Sequence, residues 1–313
     1  MKISLKTSDL MHVLDHIKGF VSKNSTLPIL ENIYIKGNID TVLFRATDME
    51  KYIEMEIPAK IDDEGALTVN ARIFSDIIRN IETESLELHI DTTKNTLQVK
   101  TKQDNFSIKG LPAGEYVSVP EIKDGMKVTI DGAMMSKGIE KVSYAVTDKN
   151  FSPILTGILM KIKKSEQGYK LVFVGTDSFR LAEYKLSLPD ADREISIIIP
   201  KMNINELQKV VDHYISIGGS ELTCECSENL VSFSCQIGET KILMTSLLIQ
   251  GNFPDYENEN IMPTAFTSTV TVSKDACDKA IKKIGILTKD INNYVSLECG
   301  NNQVQILSGA TDL

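Results

Sequence analysis

Apolar and polar residues alternate along Tyr169-Lys170-Leu171-Val172-Phe173-Val174 and again along Glu183-Tyr184-Lys185-Leu186-Ser187-Leu188. A period of two puts alternate side chains on one face, and Gly175-Thr176-Asp177-Ser178 between the two runs supplies turn residues. The stretch therefore predicts an antiparallel hairpin. Asp177 suits its corner because a short carboxylate folds back onto nearby backbone N–H groups. The same order occurs earlier, where Val42-Leu43-Phe44-Arg45-Ala46 leads through Thr47-Asp48 into Tyr52-Ile53-Glu54-Met55-Glu56-Ile57. Residues 304–313 begin it a third time, reaching Thr311-Asp312. Repetition on this scale sets the architecture.

Between the hairpins the spacing changes from two to three and four. Leu10, Val13, Leu14, Ile17 and Val21 predict a helix over 8–22, with Ser8 as N-cap and Gly19 near its end. Ile73, Phe74, Ile77, Ile78 and Ile81 predict one over 71–81, capped by Asn70. Met135, Ile139 and Val142 predict a third over 132–146, Pro200 opens a fourth at its first turn, and a fifth covers 273–287. Gly110-Leu111-Pro112-Ala113-Gly114-Glu115-Tyr116 is echoed by Gly251-Asn252-Phe253-Pro254-Asp255-Tyr256. Thr47 to Thr176 is 129 residues and Gly110 to Gly251 is 141, so two landmarks recur in order at similar offsets. The pattern predicts an α+β protein of tandem units: 1–121, 122–264, and a partial third over 265–313 that stops before its second helix.

The 313 residues are 42% apolar and 25% charged, ordinary for a soluble protein. No apolar run approaches the roughly 20 residues of a membrane span, and the N-terminus lacks a signal-peptide core, so a cytoplasmic protein without a membrane partner is expected. Five cysteines at loose spacing predict free thiols in a reducing compartment. The net charge of −9 is unevenly placed: the five predicted helices carry +5 and the remainder −14. Mildly basic helices beside acidic sheets and loops suit a helix surface facing a polyanion, through phosphate contacts that carry no sequence information. For any single lysine a solvated helix face is the plainer account; the repetition across units is what favours the polyanion.

Candidate chemistry is sparse. Cys224, Cys226 and Cys235 lack the second pair that zinc spacing needs, and buried or half-buried thiols explain them better. His12 and His16 lie one helical turn apart with no third ligand apparent. Nucleotide-binding loops, zinc-protease and nucleophile-elbow motifs are all missing. The sequence predicts no catalytic residue, no metal and no cofactor.

Thr26-Leu27-Pro28-Ile29-Leu30, Ala46-Thr47-Asp48-Met49-Glu50, Gly110-Leu111-Pro112, Leu155-Thr156-Gly157-Ile158-Leu159, Thr176 to Ala182 and Gly251 to Tyr256 run through the chain in the order of one known family. In these stretches it resembles the bacterial sliding clamps, the beta subunits of DNA polymerase III. The resemblance implies a non-catalytic homodimeric ring around double-stranded DNA, each domain placing two helices on a concave inner face with antiparallel sheets outside. It implies DNA-facing positions at Lys23, Asn24, Arg72, Arg79, Lys137, Lys141, Lys201, Lys209, Lys274, Lys279, Lys282 and Lys283. It also implies a pocket for a short peptide of the replicative polymerase, the clamp loader and other partners, at Leu155, Thr176, Ser178, Phe179, Arg180, Leu181 and Pro254. Arg180, a charge amid apolar strand residues, needs a partner on any reading. Phe106 on one protomer and Ile286-Leu287 on the other match the family's subunit contact. Asn24 stands where the family often has arginine, and the family's final residues, which line the peptide pocket, lie beyond Leu313. A clamp-like paralogue or fragment that only binds peptides, without closing a ring, is the second reading.

Overall fold

The computed structural model describes residues 1–23, 25–148, 152–189, 191, 193–259, 261–288, 295–300 and 302–308. Asn24 and the third Thr311-Asp312 lie outside them. The chain forms two compact units, Met1–Phe253 and Pro254–Leu313.

The first unit holds two copies of one order of elements. The first copy is β1 (Lys2–Lys6), α1 (Thr7–Ile17), β2 (Asn32–Gly37), β3 (Thr41–Thr47), β4 (Lys51–Pro58), β5 (Lys60–Ile61), β6 (Gly65–Asn70), α2 (Ala71–Arg79), β7 (Ser85–Asp91), β8 (Thr96–Lys100) and β9 (Asn105–Pro112). The second is β10 (Met126–Asp131), α3 (Gly132–Val142), β11 (Gly157–Ser165), β12 (Gly168–Thr176), β13 (Leu181–Leu188), β14 (Ile195–Pro200), α4 (Lys201–Ser216), β15 (Glu221–Cys226), β16 (Leu230–Ile237) and β17 (Thr240–Leu247). Apart from the two-residue β5 the orders agree. Short 3-10 turns at Pro28–Glu31 and Pro153–Thr156 precede β2 and β11, each opened by a proline whose missing N–H costs nothing there.

All strand pairs in this unit are antiparallel. In the second copy β13-β12-β11-β14 form a four-stranded sheet, while β10-β15-β16-β17 continue through β4-β3-β2-β6-β9-β8-β7-β1-β5. The join is β17 against β4, from Lys241 opposite Glu56 to Ser246 opposite Lys51. The two copies thus share one ladder as well as one core.

Tyr116 shows why the first Gly-to-Tyr closing run exists. Its buried hydroxyl donates to the Asn32 carbonyl at 3.0 Å, and its ring lies 5.6 Å from that of Tyr34. The end of the first copy is thereby stitched to its central strand. Arg45 covers Tyr34 at 5.0 Å while its Nε donates to Glu54 at 2.6 Å.

The helices bury the predicted stripes, with four corrections. α1 is one turn shorter than its apolar spacing predicts and ends at Ile17; Phe20 then buries from the exit loop. Its N-cap is Lys6, without a side-chain bond, so Ser8 is not the cap. Pro200 ends β14 and caps α4 rather than starting it. Ile73, placed on the buried stripe of α2 by its spacing, is 50% exposed. Gly138 lets α3 lie flat on the sheet: a Cβ there would sit 2.3 Å from the Phe173 ring.

The second unit contains α5 (Lys274–Thr288) and the antiparallel pair β18 (Val295–Gly300) and β19 (Gln303–Ser308), both packed against α5.

Candidate nucleic-acid face and partner-binding corner

In the first unit α2, α1, α4 and α3 stand side by side in that order: α1 touches α2 and α4, and α4 touches α3. Each is amphipathic, so the face turned from the sheets carries the polar residues. Arg72, Arg79, Lys137, Lys141 and Lys209 are exposed on it. Most have an acid partner on the same surface. Arg79 and Lys18 share Asp15 at 2.8 and 2.7 Å, Lys209 holds Glu206 at 2.7 Å, and Lys141 reaches Glu140 at 3.3 Å. The Lys18 ammonium, more than the Arg79 guanidinium, holds the Asp15 carboxyl below the usual range.

The formed helices are less basic than the predicted ones. Ending α1 at Ile17 leaves Lys18 and Lys23 in the exit loop, and running α4 to Ser216 brings in Asp212. Taken in chain order the five helices carry −2, +1, +1, 0 and +2, a net of +2. Lys18 and Lys23 of that loop and Arg72 and Arg79 of α2 line a cleft of about 820 Å³, with Glu31 and Asp76. Lys201 is not a loose cation: its Nζ donates to Asp148 at 2.8 Å and to the Val146 carbonyl at 3.2 Å. In the second unit Lys274, Lys279, Lys282 and Lys283 are exposed on α5, with Lys282 2.7 Å from Asp278.

The two repeat corners are built alike, and the sequence order explains why. In the second, Thr176 Oγ1 donates to the Arg180 carbonyl at 2.8 Å and accepts from Ser178 N at 3.2 Å. Asp177 Oδ1 accepts from Phe179 N and Arg180 N, both at 3.0 Å, and Oδ2 accepts from Arg180 Nε at 3.0 Å. In the first, Thr47 bonds the Lys51 carbonyl and Met49 N, Asp48 takes Glu50 N and Lys51 N, and the Lys51 ammonium pairs with Asp48. Met49 and Ser178 take the left-handed conformation, at φ 78° and 74°. Burial alone would raise the Asp177 carboxyl, but the backbone N–H groups of Arg180 and Phe179 and the guanidinium hold it below its ordinary value.

Such a corner turns its third and fourth residues outward, Met49 and Glu50 in the first copy and Ser178 and Phe179 in the second. Phe179 is 98% exposed. Arg180 precedes β13 rather than lying within it, and its partners are Asp177 and the face of Tyr144, 5.9 Å away. Tyr144, itself exposed, carries no motif that a sequence reading could have found. β11 pairs Leu159 with Val174, so Leu155, just ahead of β11, belongs to the same end of the sheet as the corner. Leu155 and Thr176 are nearly buried, Leu181 is half-buried and Ser178 is exposed. Pro254 opens the second unit and is exposed.

Phe106 on β9 is 37% exposed, and Ile286 and Leu287 are exposed near the end of α5. Cys224 and Cys226 are buried on β15, which pushes both thiols up, and burial pushes Cys235 up to about 12. These are inert, protonated thiols. Among the described residues no group of His, Cys, Asp and Glu is arranged to hold a metal ion, and no helix is long and apolar enough to cross a membrane.

Known proteins resemble this chain along most of its length. The family profile for the DNA polymerase III beta subunit, N-terminal domain, matches residues 1–120, and that for its central domain matches 129–255. The chain is 27% identical to the beta sliding clamp of Bacillus subtilis (strain 168) over 98% of its own length and 82% of the relative's. It is also 27% identical to that of Proteus mirabilis, over 98% and 80%. The crystal structure of the Bacillus subtilis DNA polymerase sliding clamp superposes with a TM-score of 0.87 at 25% identity, over 100% of this chain and 81% of that one. A Bartonella birtlesii sliding clamp, solved bound to griselimycin, gives 0.89 at 23% over the same shares.

Proposed function

The chain belongs to the family of DNA polymerase III beta subunits, the bacterial sliding clamps, and from that premise we infer how it holds DNA and its partners. Its function is that of a DNA sliding clamp: a non-catalytic processivity factor for replication. The finer proposal is a ring, closed by two protomers, that encircles duplex DNA with its helix faces inward. Units corresponding to 1–121 and 122–264 each supply a pair of helices, and residues 265–313 supply part of a third.

The observation that carries this reading is the row α2-α1-α4-α3, formed by two copies of one element order and bearing exposed Arg72, Arg79, Lys137, Lys141 and Lys209. Their pairing with Asp15, Glu206 and Glu140 leaves the face nearly neutral. Exposed pairs of this kind contribute about 0–1 kcal/mol each. A surface so balanced attracts phosphates weakly and does not stop a duplex from sliding, so retention comes from topology rather than affinity.

At the corner of β12 and β13 we place the contact for a partner peptide. Leu155 and Leu181 offer apolar surface, Phe179 an unburied ring, and Arg180, already oriented by Asp177, a charged anchor for the peptide backbone or an acidic side chain. Phe106 and Ile286-Leu287 are proposed as the two sides of the protomer contact.

Loading the full-length protein with a clamp loader onto nicked circular DNA tests the ring. Retention on the circle through a high-salt wash and release on linearisation are expected. Equal retention on both topologies would overturn the ring and leave a peptide-binding module.

A further inference from the structure

Three imidazoles meet where the two copies join. His12 and His16 of α1 both lie against His213 of α4, with ring centroids 4.9 and 4.8 Å apart and planes tilted by 30° and 45°. Two turns earlier on α4, Glu206 meets the exit loop of α1: a Cβ on Gly19 would lie 2.2 Å from Glu206 Oε2.

The ionised groups around the cluster are already engaged. On α1, Asp15 is held by Lys18 and by Arg79 of α2, and Asp9 accepts from Ser8. On α4, Glu206 is held by Lys209, and Asp212 accepts from Ser136 of α3. Asp15 still favours a charged His16, but burial outweighs it, aided by His213, and keeps His16 down to about 4. Burial, then His12, also pushes His213 below its ordinary value. His12 is exposed and His16 and His213 are half-buried, so packing the three rings costs little while they are neutral and more once His16 or His213 gains a proton.

We propose that His16 and His213, with His12 packed at their rim, form a pH-sensitive latch, which closes α1 onto α4 while His16 and His213 are neutral and drives that seam apart when they are protonated. The β4–β17 ladder contains no histidine and holds the sheet side of the joint, so acid loosens one side only. The direction follows from linkage: His16 binds its proton less tightly in the closed seam than in the open one. The rings' contribution to closure is therefore complete above 6.5, the ordinary histidine value, and is lost progressively as pH falls from there toward about 4. The device does not depend on the protein's acting as a clamp.

Hydrogen exchange of the intact protein, with a chelator present, tests it at pH 7.5 and 5.5 after correction for intrinsic exchange. One histidine that titrates only when the seam is open raises the open population about tenfold one unit below its free pKa. Amides of α1 and α4 are thus expected to exchange about tenfold faster at pH 5.5, with α2 and α3 little changed, and His213→Gln is expected to shrink the difference. In wild-type protein the His16 C2–H resonance should stay in its neutral position down to pH 5. Titration of that resonance near 6.5, or an equal acid response in all four helices, would overturn the latch.

Discussion

At the scale of the residue, a single aspartate decides what the partner-binding corner presents. Asp177 satisfies two backbone N–H groups and orients the Arg180 guanidinium, so its neighbours Ser178 and Phe179 have nowhere to point but outward. Asp177→Ala removes three bonds to an ionised group in a partly exposed turn, and thermal melts should show a loss of about 1 kcal/mol. Because the folded carboxyl lies below its ordinary value, its contribution is complete above that value and lost only as pH falls through the lowered one; the corner should survive at pH 5. Phe179→Ala disturbs no core, since the ring is almost wholly exposed. It should leave the melting temperature unchanged while weakening a fluorescent clamp-binding peptide about tenfold, the effect expected for losing an aromatic anchor. Unchanged affinity would remove Phe179 from the proposed contact.

Among elements, α3 shows how little clearance the helix layer has. Its glycine sits on the Phe173 ring, and Gly175, on the strand below, would place a Cβ 2.5 Å from the Val142 carbonyl. Gly138→Val should therefore lower stability by about 1–3 kcal/mol through overpacking, a shift of several degrees in a thermal melt. An unshifted melt would mean that α3 rides higher on its sheet than it does here. The element boundaries teach the same lesson. Apolar spacing alone extends α1 through Val21, but the chain leaves the helix after Ile17 and Phe20 still reaches the core from the loop. Burial recorded in a sequence says that a side chain goes inside, not which backbone conformation takes it there.

For the molecule as a whole, the joint between copies and the charge on the helix row matter most. Lys137→Ala with Lys141→Ala removes two exposed cations from α3. Direct binding to short linear duplex should weaken alike for every base sequence, and its salt dependence should flatten by nearly two units of the log–log slope. Retention on a loaded circle should not change. Dependence on the base sequence would contradict a phosphate-only contact.

Period-two and period-four patterns, a Thr-Asp corner used twice and a Gly-to-Tyr closure were legible before any coordinates, because local geometry and burial leave their period in the residues that carry them. They were enough for an α+β duplication; the candidate peptide corner came only from the resemblance to a known family. What no local pattern held was the meeting of distant parts. Lys201 reads as a loose cation until Asp148 is found beside it, Arg180 reads as a strand residue until Asp177 claims it, and His12 and His16 lack their third ring until α4 brings His213 across. Such pairings depend on how whole elements pack, a sum over many weak contacts with no signature at any one position, and only the tertiary structure decides them.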